Sequence, residues 1–188
     1  MIDAHFHAWQ LNRGDYGWLK PELSPIYRDV TVDEWAQHAS NDQIKGGVLV
    51  QAAPTFEETL FLLEQAQSHP MVKGVVGWID MLSDDAVEKV VQCAASPLLK
   101  GLRPMMQDIE DADWILQAKI QPVLNAMAAH NLVLDALIKP VHISRILEVT
   151  RAHRNLKVVI DHGAKPIIEL AHLPSWKNAM AQLAQETD

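Results

Sequence analysis

Six short runs rich in Val, Ile and Leu recur along the chain: Met1–His5, Gly47–Gln51, Val75–Ile79, Leu99–Arg103, Leu132–Ala136 and Lys157–Asp161. Each is too short for a helix. Continuous apolar runs of this length mark fully buried parallel strands, because helices cover both faces of such a sheet. With Ile2, Leu49, Val76, Leu102, Leu134 and Val159 as strand centres, the steps between them are 47, 27, 26, 32 and 25 residues. A strand, a loop, a helix of three to four turns and a second loop need about 25–30 residues. Every step but the first is therefore one βα unit, and the first contains a long extra connection.

The intervening stretches read as helices. Thr31-x-x-Glu34 and Thr55-x-x-Glu58 are capping boxes, in which the threonine hydroxyl takes an amide of the first turn and the glutamate reaches back to the threonine amide. Leu60, Leu63, Glu64 and Gln67 continue a helical face after the second box. Ser83-Asp84-Asp85 starts a third helix with carboxylates at its positive end. Pro122 and Pro140 suit the first turns of the fourth and fifth helices, where a missing amide costs nothing. Further helices fit Val141–Ala152 and Ser175–Gln185. A weak repeat, Ser68-His69-Pro70, Ala129-His130-Asn131 and Ala152-His153-Arg154, ends a helix just before a strand three times. His69, His130 and His153 are thus expected to cap helix C-termini. His38 and His142, inside or at the start of helices, receive the same structural assignment.

Composition narrows the function. The chain has 188 residues, 48% of them hydrophobic, enough for one sizeable core in a single domain spanning residues 1–188. Sixteen Lys and Arg against 24 Asp and Glu give a net charge of −8, and no basic stripe is present, so no nucleic-acid partner is expected. The lone cysteine, Cys93, excludes an internal disulfide or a cysteine zinc cluster and reads as a small buried hydrophobe. No basic region followed by an apolar run opens the sequence and no run is long enough to span a bilayer, so a cytoplasmic protein with no membrane partner is expected.

Six βα units in series define a parallel α/β protein. The first strand runs into His5-Phe6-His7-Ala8-Trp9 rather than a glycine-rich turn, which disfavours a dinucleotide fold and favours a barrel. Barrel chemistry sits at the C-terminal ends of the strands. Here those ends supply His5 and His7, Gln51, Trp78 and Asp80, Arg103 and Gln107, and Asp161 and His162, whereas the fifth gives only Ala136, Leu137 and Ile138. Residues two apart on a strand share a face, so His5 and His7 project together. Two neutral imidazoles at that spacing suit a divalent metal, or they polarise a carbonyl as a hydrogen-bonding pair. The connection Ala8–Val30 carries Trp9, Tyr16, Trp18 and Tyr27 and reads either as an active-site wall or lid or as a loop folded over the barrel rim.

Five segments carry a family resemblance: Asp3-Ala4-His5-Phe6-His7, Arg13-Gly14-Asp15-Tyr16-Gly17-Trp18-Leu19, Tyr27-Arg28-Asp29, Gly101-Leu102-Arg103-Pro104 and Asp161-His162-Gly163-Ala164-Lys165-Pro166. Together they make the sequence similar to the lactonase branch of the amidohydrolase superfamily, which holds sugar-lactone hydrolases and 2-pyrone-4,6-dicarboxylate lactonase. The resemblance implies a TIM (β/α)8-type barrel and hydrolysis of a small cyclic ester, a sugar-acid lactone first of all, within carbohydrate metabolism. On it, His5, His7 and His162 surround the substrate carbonyl. Arg103 binds a substrate oxygen through its planar donors, the alternative being a structural ion pair. Gln51, Trp78 and Gln107 line the pocket or merely pack and cap.

Two-metal members of the superfamily use a bridging lysine after strand four and a histidine after strand five. Arg103 stands at the first place and no histidine at the second, so a binuclear site is not expected. One divalent metal such as zinc, held by His5, His7 and His162, and a metal-free site are equally compatible with these residues. About six of the eight βα units of a barrel are present, so the domain is expected to be incomplete at its C-terminus. The missing strands would carry the water-activating aspartate; Asp188 follows a helix and Asp161 precedes His162 on another strand, so neither is that residue. The fragment alone is expected to lack its general base and turnover. An open sheet exposes strand edges and leaves a homo-oligomer open. The alternatives are a ligand-binding remnant without catalysis and a metal-dependent phosphodiesterase or deoxyribonuclease on a similar barrel; the latter would want more metal-binding residues and a basic rim.

Overall fold

The computed structural model describes residues 1–169 and 173–186. Strands and helices alternate in chain order: β1 (Asp3–Phe6), α1 (Val32–Asn41), β2 (Gly47–Val50), α2 (Phe56–Ser68), β3 (Val72–Gly77), α3 (Ala86–Ala94), β4 (Leu99–Leu102), α4 (Gln121–Ala129), β5 (Val133–Ala136), α5 (Ile143–Ala152), β6 (Lys157–Ile160) and α6 (Leu173–Glu186). The reading of Asp188 lies outside the described residues. Two compact units make up the chain, Met1–Asp80 with Gln92–Leu102, and Met81–Val91 with Arg103–Asp188. In the first, β1, β2, β3 and β4 pair in that order, all parallel. In the second, β5 and β6 pair in parallel from Val133–Lys157 to Ala136–Ile160.

All six expected strands form, but β3 starts three residues before the expected Val75 because it takes in Lys73 and Gly74. Lys73 can enter the sheet because its stem lies over Gly46, where a Cβ would meet Lys73 Cγ at 2.6 Å, and its ammonium reaches the Pro70 carbonyl at 2.7 Å. Lys100 of β4 repeats this over Gly74, with its Nζ 2.7 Å from the Pro97 carbonyl. The shared pattern, Pro-x-x-Lys-Gly at 70–74 and 97–101, places both lysines at the start of a strand.

Both threonine caps form: Thr31 Oγ1 accepts from Glu34 N and Thr55 Oγ1 from Glu58 N, each at 3.2 Å. The glutamate halves of the two boxes differ from expectation. Glu34 is held by both terminal nitrogens of Arg28 at 2.6 and 2.5 Å, and Glu58 reaches past Thr55 to the amides of Ala52 and Ala53. Helix α2 buries Glu58, Thr59, Leu62, Leu63 and Ala66, one stripe at helical spacing, against β2 and β3. Of the face read from sequence only Leu63 is buried; Leu60 is exposed, because the stripe runs through positions 59 and 63 rather than 60 and 64. The third helix starts at Ala86, with Ser83–Asp85 forming the turn before it, and Pro140 sits in a 3₁₀ turn that leads into α5.

His69, His130 and His153 are the C-caps of α2, α4 and α5. His153 is tied to Asn125 and Gln121 at 2.8 Å each. His142 is buried and accepts the Lys139 amide at 3.1 Å, and burial holds its pKa below the usual value. Cys93 is buried, its thiol pushed up to about 11 by desolvation, as befits a core residue. Among the described residues no helix is long and apolar enough to cross a membrane.

Gly77 shows how tightly the first unit is fitted. Thr59 Oγ1, on α2, accepts the Trp78 amide at 2.7 Å and donates to the Trp78 carbonyl at 2.6 Å, clamping the chain at the end of β3. A Cβ on Gly77 would lie 2.5 Å from Thr59 Cγ2. Gly77→Ala is expected to destabilise by about 1–3 kcal/mol through this overpacking. Chemical denaturation measures it, and Thr59→Ser, which removes the obstructing methyl and keeps the hydroxyl, should recover part of the loss.

Candidate active site

Strand β1 and the residue that follows it bring two histidines together. His5 Nε2 and His7 Nε2 lie 3.0 Å apart, with the rings edge to face and their centroids at 4.7 Å. His7 Nδ1 is 2.7 Å from the carbonyl oxygen of Val50, at the end of β2. A carbonyl can only accept, so His7 carries its proton on Nδ1 and keeps a lone pair on Nε2. The 3.0 Å contact then has His5 donating to His7. The neighbouring motif residues hold this strand in place. The Asp3 carboxylate takes the His5 amide at 3.1 Å and the Trp35 indole N–H at 2.9 Å, and Phe6 stacks on Trp35 with ring centroids 3.8 Å apart.

In the same unit Gln51 is fully buried, its amide on the Val76 carbonyl, and Trp78 is half-buried on its Thr59 clamp. A side chain with no accessible surface touches a ligand only if something moves.

The long connection is folded down rather than loose. Trp9 and Val30 exchange main-chain hydrogen bonds at 2.8 and 3.0 Å, closing its base. Trp9, Tyr16 and Leu19 pack with Ala52 and Ala53 into an apolar cluster. The Trp18 indole donates to the Ala52 carbonyl at 2.7 Å, and Asp15 accepts from Arg13 at 2.6 Å and from Thr55 Oγ1 at 2.8 Å. Gly14, at φ 75°, makes the left-handed turn that ends the first 3₁₀ turn of this segment.

Beneath this cluster lies Glu58, with 0% exposure. Burial pushes its carboxyl up to about 7, against the pull of the Ala53 and Ala52 amides. Burial also raises the Tyr16 phenol well above its ordinary value, with the Glu58 charge adding to it.

The second unit holds the other candidates. Arg103 and Asp161 are both buried and pair through Nη1 and Oδ2 at 2.9 Å. The same Asp161 oxygen is 3.5 Å from Nε2 of His162, whose side chain is 47% exposed. Arg103 thus takes the structural ion pair that sequence left open beside a substrate contact. After β6 the backbone runs through four successive positive φ angles, His162 50°, Gly163 58°, Ala164 61° and Lys165 48°. Only glycine adopts this region without cost. The turn is held by Trp176 of α6, which donates to the Gly163 carbonyl at 2.8 Å, and by Lys165, which donates to Gln107 Oε1. Gln107 is half-buried in a 3₁₀ turn whose amide bonds the Leu137 carbonyl at 3.0 Å.

Two buried carboxylates escaped the reading of strand ends. Glu58 looks identical to the second half of a capping box, and Asp135 lies inside β5, one residue before its end. The signal for Asp135 was its charge within an otherwise apolar strand.

Chemically, the His5–His7 pair offers donors that fit a divalent cation. The His7 Nε2 lone pair is engaged by the His5 N–H, the His7 ring is oriented by its bond to the Val50 carbonyl, and a shift of the His5 proton to Nδ1 would turn both Nε2 lone pairs over to a cation.

The family model described as amidohydrolase matches residues 2–187, and the chain belongs to that family. It is 39% identical over 183 residues to the L-fucono-1,5-lactonase of Burkholderia ambifaria, a match covering 97% of this chain and 63% of that protein. The crystal structure of an amidohydrolase from Burkholderia multivorans with bound zinc superposes with a TM-score of 0.88 at 27% identity, over 98% of this chain and 66% of that one. A probable 2-pyrone-4,6-dicarboxylic acid hydrolase from Acinetobacter baumannii with citric acid bound has a similar fold, with a TM-score of 0.77 at 18% identity, over 99% of this chain and 67% of that one. The fold is therefore of the (β/α)8-barrel type, represented here by six βα units. The chain spans about 63% of the length of the first relative.

Proposed function

We propose that this chain supplies the carbonyl-polarising part of a hydrolase that opens a sugar-acid lactone, with L-fucono-1,5-lactone as the first substrate to try. The observation that carries this is the His5–His7 pair, whose tautomer the Val50 carbonyl sets before any ligand arrives. Strand ends of a barrel share one rim, and the proposal places His162 with His5 and His7 around the substrate carbonyl. His5 and His7 would hold a divalent cation such as zinc, with His162 as the third ligand. Such an ion acts as a Lewis acid on the carbonyl. Without it, the N–H groups of His5 and His162 would polarise the same oxygen, since the His7 proton is held on the Val50 carbonyl. Arg103, buried on Asp161, is assigned to steadying the turn that bears His162, and Trp78 and Gln107 to the pocket wall. Asp161 is engaged by Arg103, so the base that activates water has to come from elsewhere, and the 188-residue chain by itself is proposed to bind lactone without turning it over.

Acid release from L-fucono-1,5-lactone tests this on a version extended to the full length of the relatives, with and without chelator. The extended enzyme should hydrolyse the lactone, and His7→Ala and His162→Ala should each lower kcat/KM at least tenfold. Unchanged kcat/KM in the His162→Ala variant would remove that histidine from the mechanism. Loss of activity on chelation and its return with zinc would select the metal-assisted version.

A further inference from the structure

Trp18 is held firmly by its surroundings and yet left bare. Its indole N–H is fixed on the Ala52 carbonyl at 2.7 Å, and its ring meets Trp9 edge to face at a centroid distance of 5.6 Å. Trp9 is itself buried and tied through its own indole to the Arg28 carbonyl at 2.7 Å. Nevertheless 41% of Trp18 is exposed. A single exposed apolar side chain is ordinary. What distinguishes this one is its neighbour along β2.

The Gln51 amide bonds the Val76 carbonyl, so Gln51 turns its main-chain groups toward β3. The Val50 carbonyl, at the end of β2, faces β1, and the Ala52 carbonyl, in the bend that follows β2, faces the connection after β1. Val50 receives His7 and Ala52 receives Trp18, each at 2.7 Å. Two residues apart in sequence, Val50 and Ala52 lie at most about 7 Å apart. Trp18 and His7 are therefore fixed to the same short stretch of main chain.

We propose that Trp18 is a substrate-binding and specificity-determining residue, a fixed aromatic platform for the C–H face of a six-membered lactone whose carbonyl lies at His5 and His7. The proposal rests on the sugar-lactone reading above. The face of an indole is electron-rich, and the C–H groups on one side of a pyranose-type ring are polarised positive and apolar, so the two stack with favourable electrostatics and little desolvation penalty. An open-chain acid lacks this fixed face and gains little from the contact. Trp18 thus favours the closed ring over the hydrolysed acid, which also promotes release of product.

The test is direct binding by the 188-residue chain, because it needs no turnover. The probe is the lactam analogue of L-fucono-1,5-lactone, which keeps the ring and resists hydrolysis, with open-chain L-fuconate as the control. Titration calorimetry should show Trp18→Ala binding the lactam at least tenfold more weakly, Trp18→Phe within threefold of wild type, and L-fuconate changed less than twofold in either variant. The Trp18 indole N–H resonance, identified by its absence in Trp18→Phe, should shift during the lactam titration of the wild-type chain, a readout independent of variant folding. Unaltered lactam affinity in a folded Trp18→Ala variant, or an indole resonance that stays put at saturation, overturns the role of Trp18 alone. Failure of the wild-type chain to bind the lactam at all overturns this role together with the sugar-lactone reading.

Discussion

Arg103→Leu is expected to cost about 3–5 kcal/mol of unfolding free energy, because it strands a buried carboxylate. Arg103 is 4% exposed and Asp161 6%, so neither charge can turn to water without opening the second unit. Breaking such a pair by removing one partner is far worse than removing both, since the penalty arises from the uncompensated charge that remains. Urea unfolding of Arg103→Leu, Asp161→Leu and the double variant measures this. The double variant should be more stable than the sum of the single losses predicts, by more than about 1 kcal/mol of coupling. Additive losses would show that Arg103 and Asp161 do not depend on each other. The effect should also reach His162, since Asp161 lies 3.5 Å from its Nε2 and begins the left-handed turn.

The second large effect is a pH dependence of stability in the first unit. The Glu58 carboxyl is raised from its ordinary 4.5 to about 7 by burial. The folded state therefore binds a proton that the unfolded state has released, at any pH between these two values. The stabilisation is complete below 4.5 and is lost as pH rises through 7, a change of about 3 kcal/mol at 1.36 kcal/mol per pKa unit. Other groups titrate as well, so the quantity to follow is the difference between wild type and Glu58→Gln, a neutral side chain of nearly the same shape. Urea unfolding at pH 5 and pH 8 should show wild type losing that amount relative to the variant. A difference that is level across the interval would mean that the Ala52 and Ala53 amides hold Glu58 ionised throughout.

The strands were legible because a buried parallel strand has little freedom in composition: both faces must be apolar, and the helix that follows fixes the spacing. The histidine caps were legible for a similar local reason, since His69, His130 and His153 each stand between a helical stretch and a strand. What failed was whatever depends on a neighbour distant in sequence. The third strand was expected to begin only at Val75, because the glycine that receives the stem of Lys73, Gly46, lies 27 residues away. Glu58 satisfied a local pattern, yet it bonds amides outside that pattern and lies under a cluster built by Trp9, Tyr16 and Leu19. Of the site, the His5–His7 pair follows from strand alternation alone, and the structure adds the Val50 carbonyl that decides which nitrogen holds the proton. Arg103 was found as a strand-end residue, but its partner Asp161, 58 residues on, could not be read from spacing.

The acceptor that sets the His7 proton belongs to the polypeptide itself and not to any side chain. Substitution at position 50 can change the size of the residue there but cannot delete its carbonyl, whereas an imidazole steered by an aspartate or glutamate loses its setting with one codon change. The position of the His7 proton is thereby insulated from drift in the surrounding sequence, and diverging descendants could change the side chains around it without having to rebuild it.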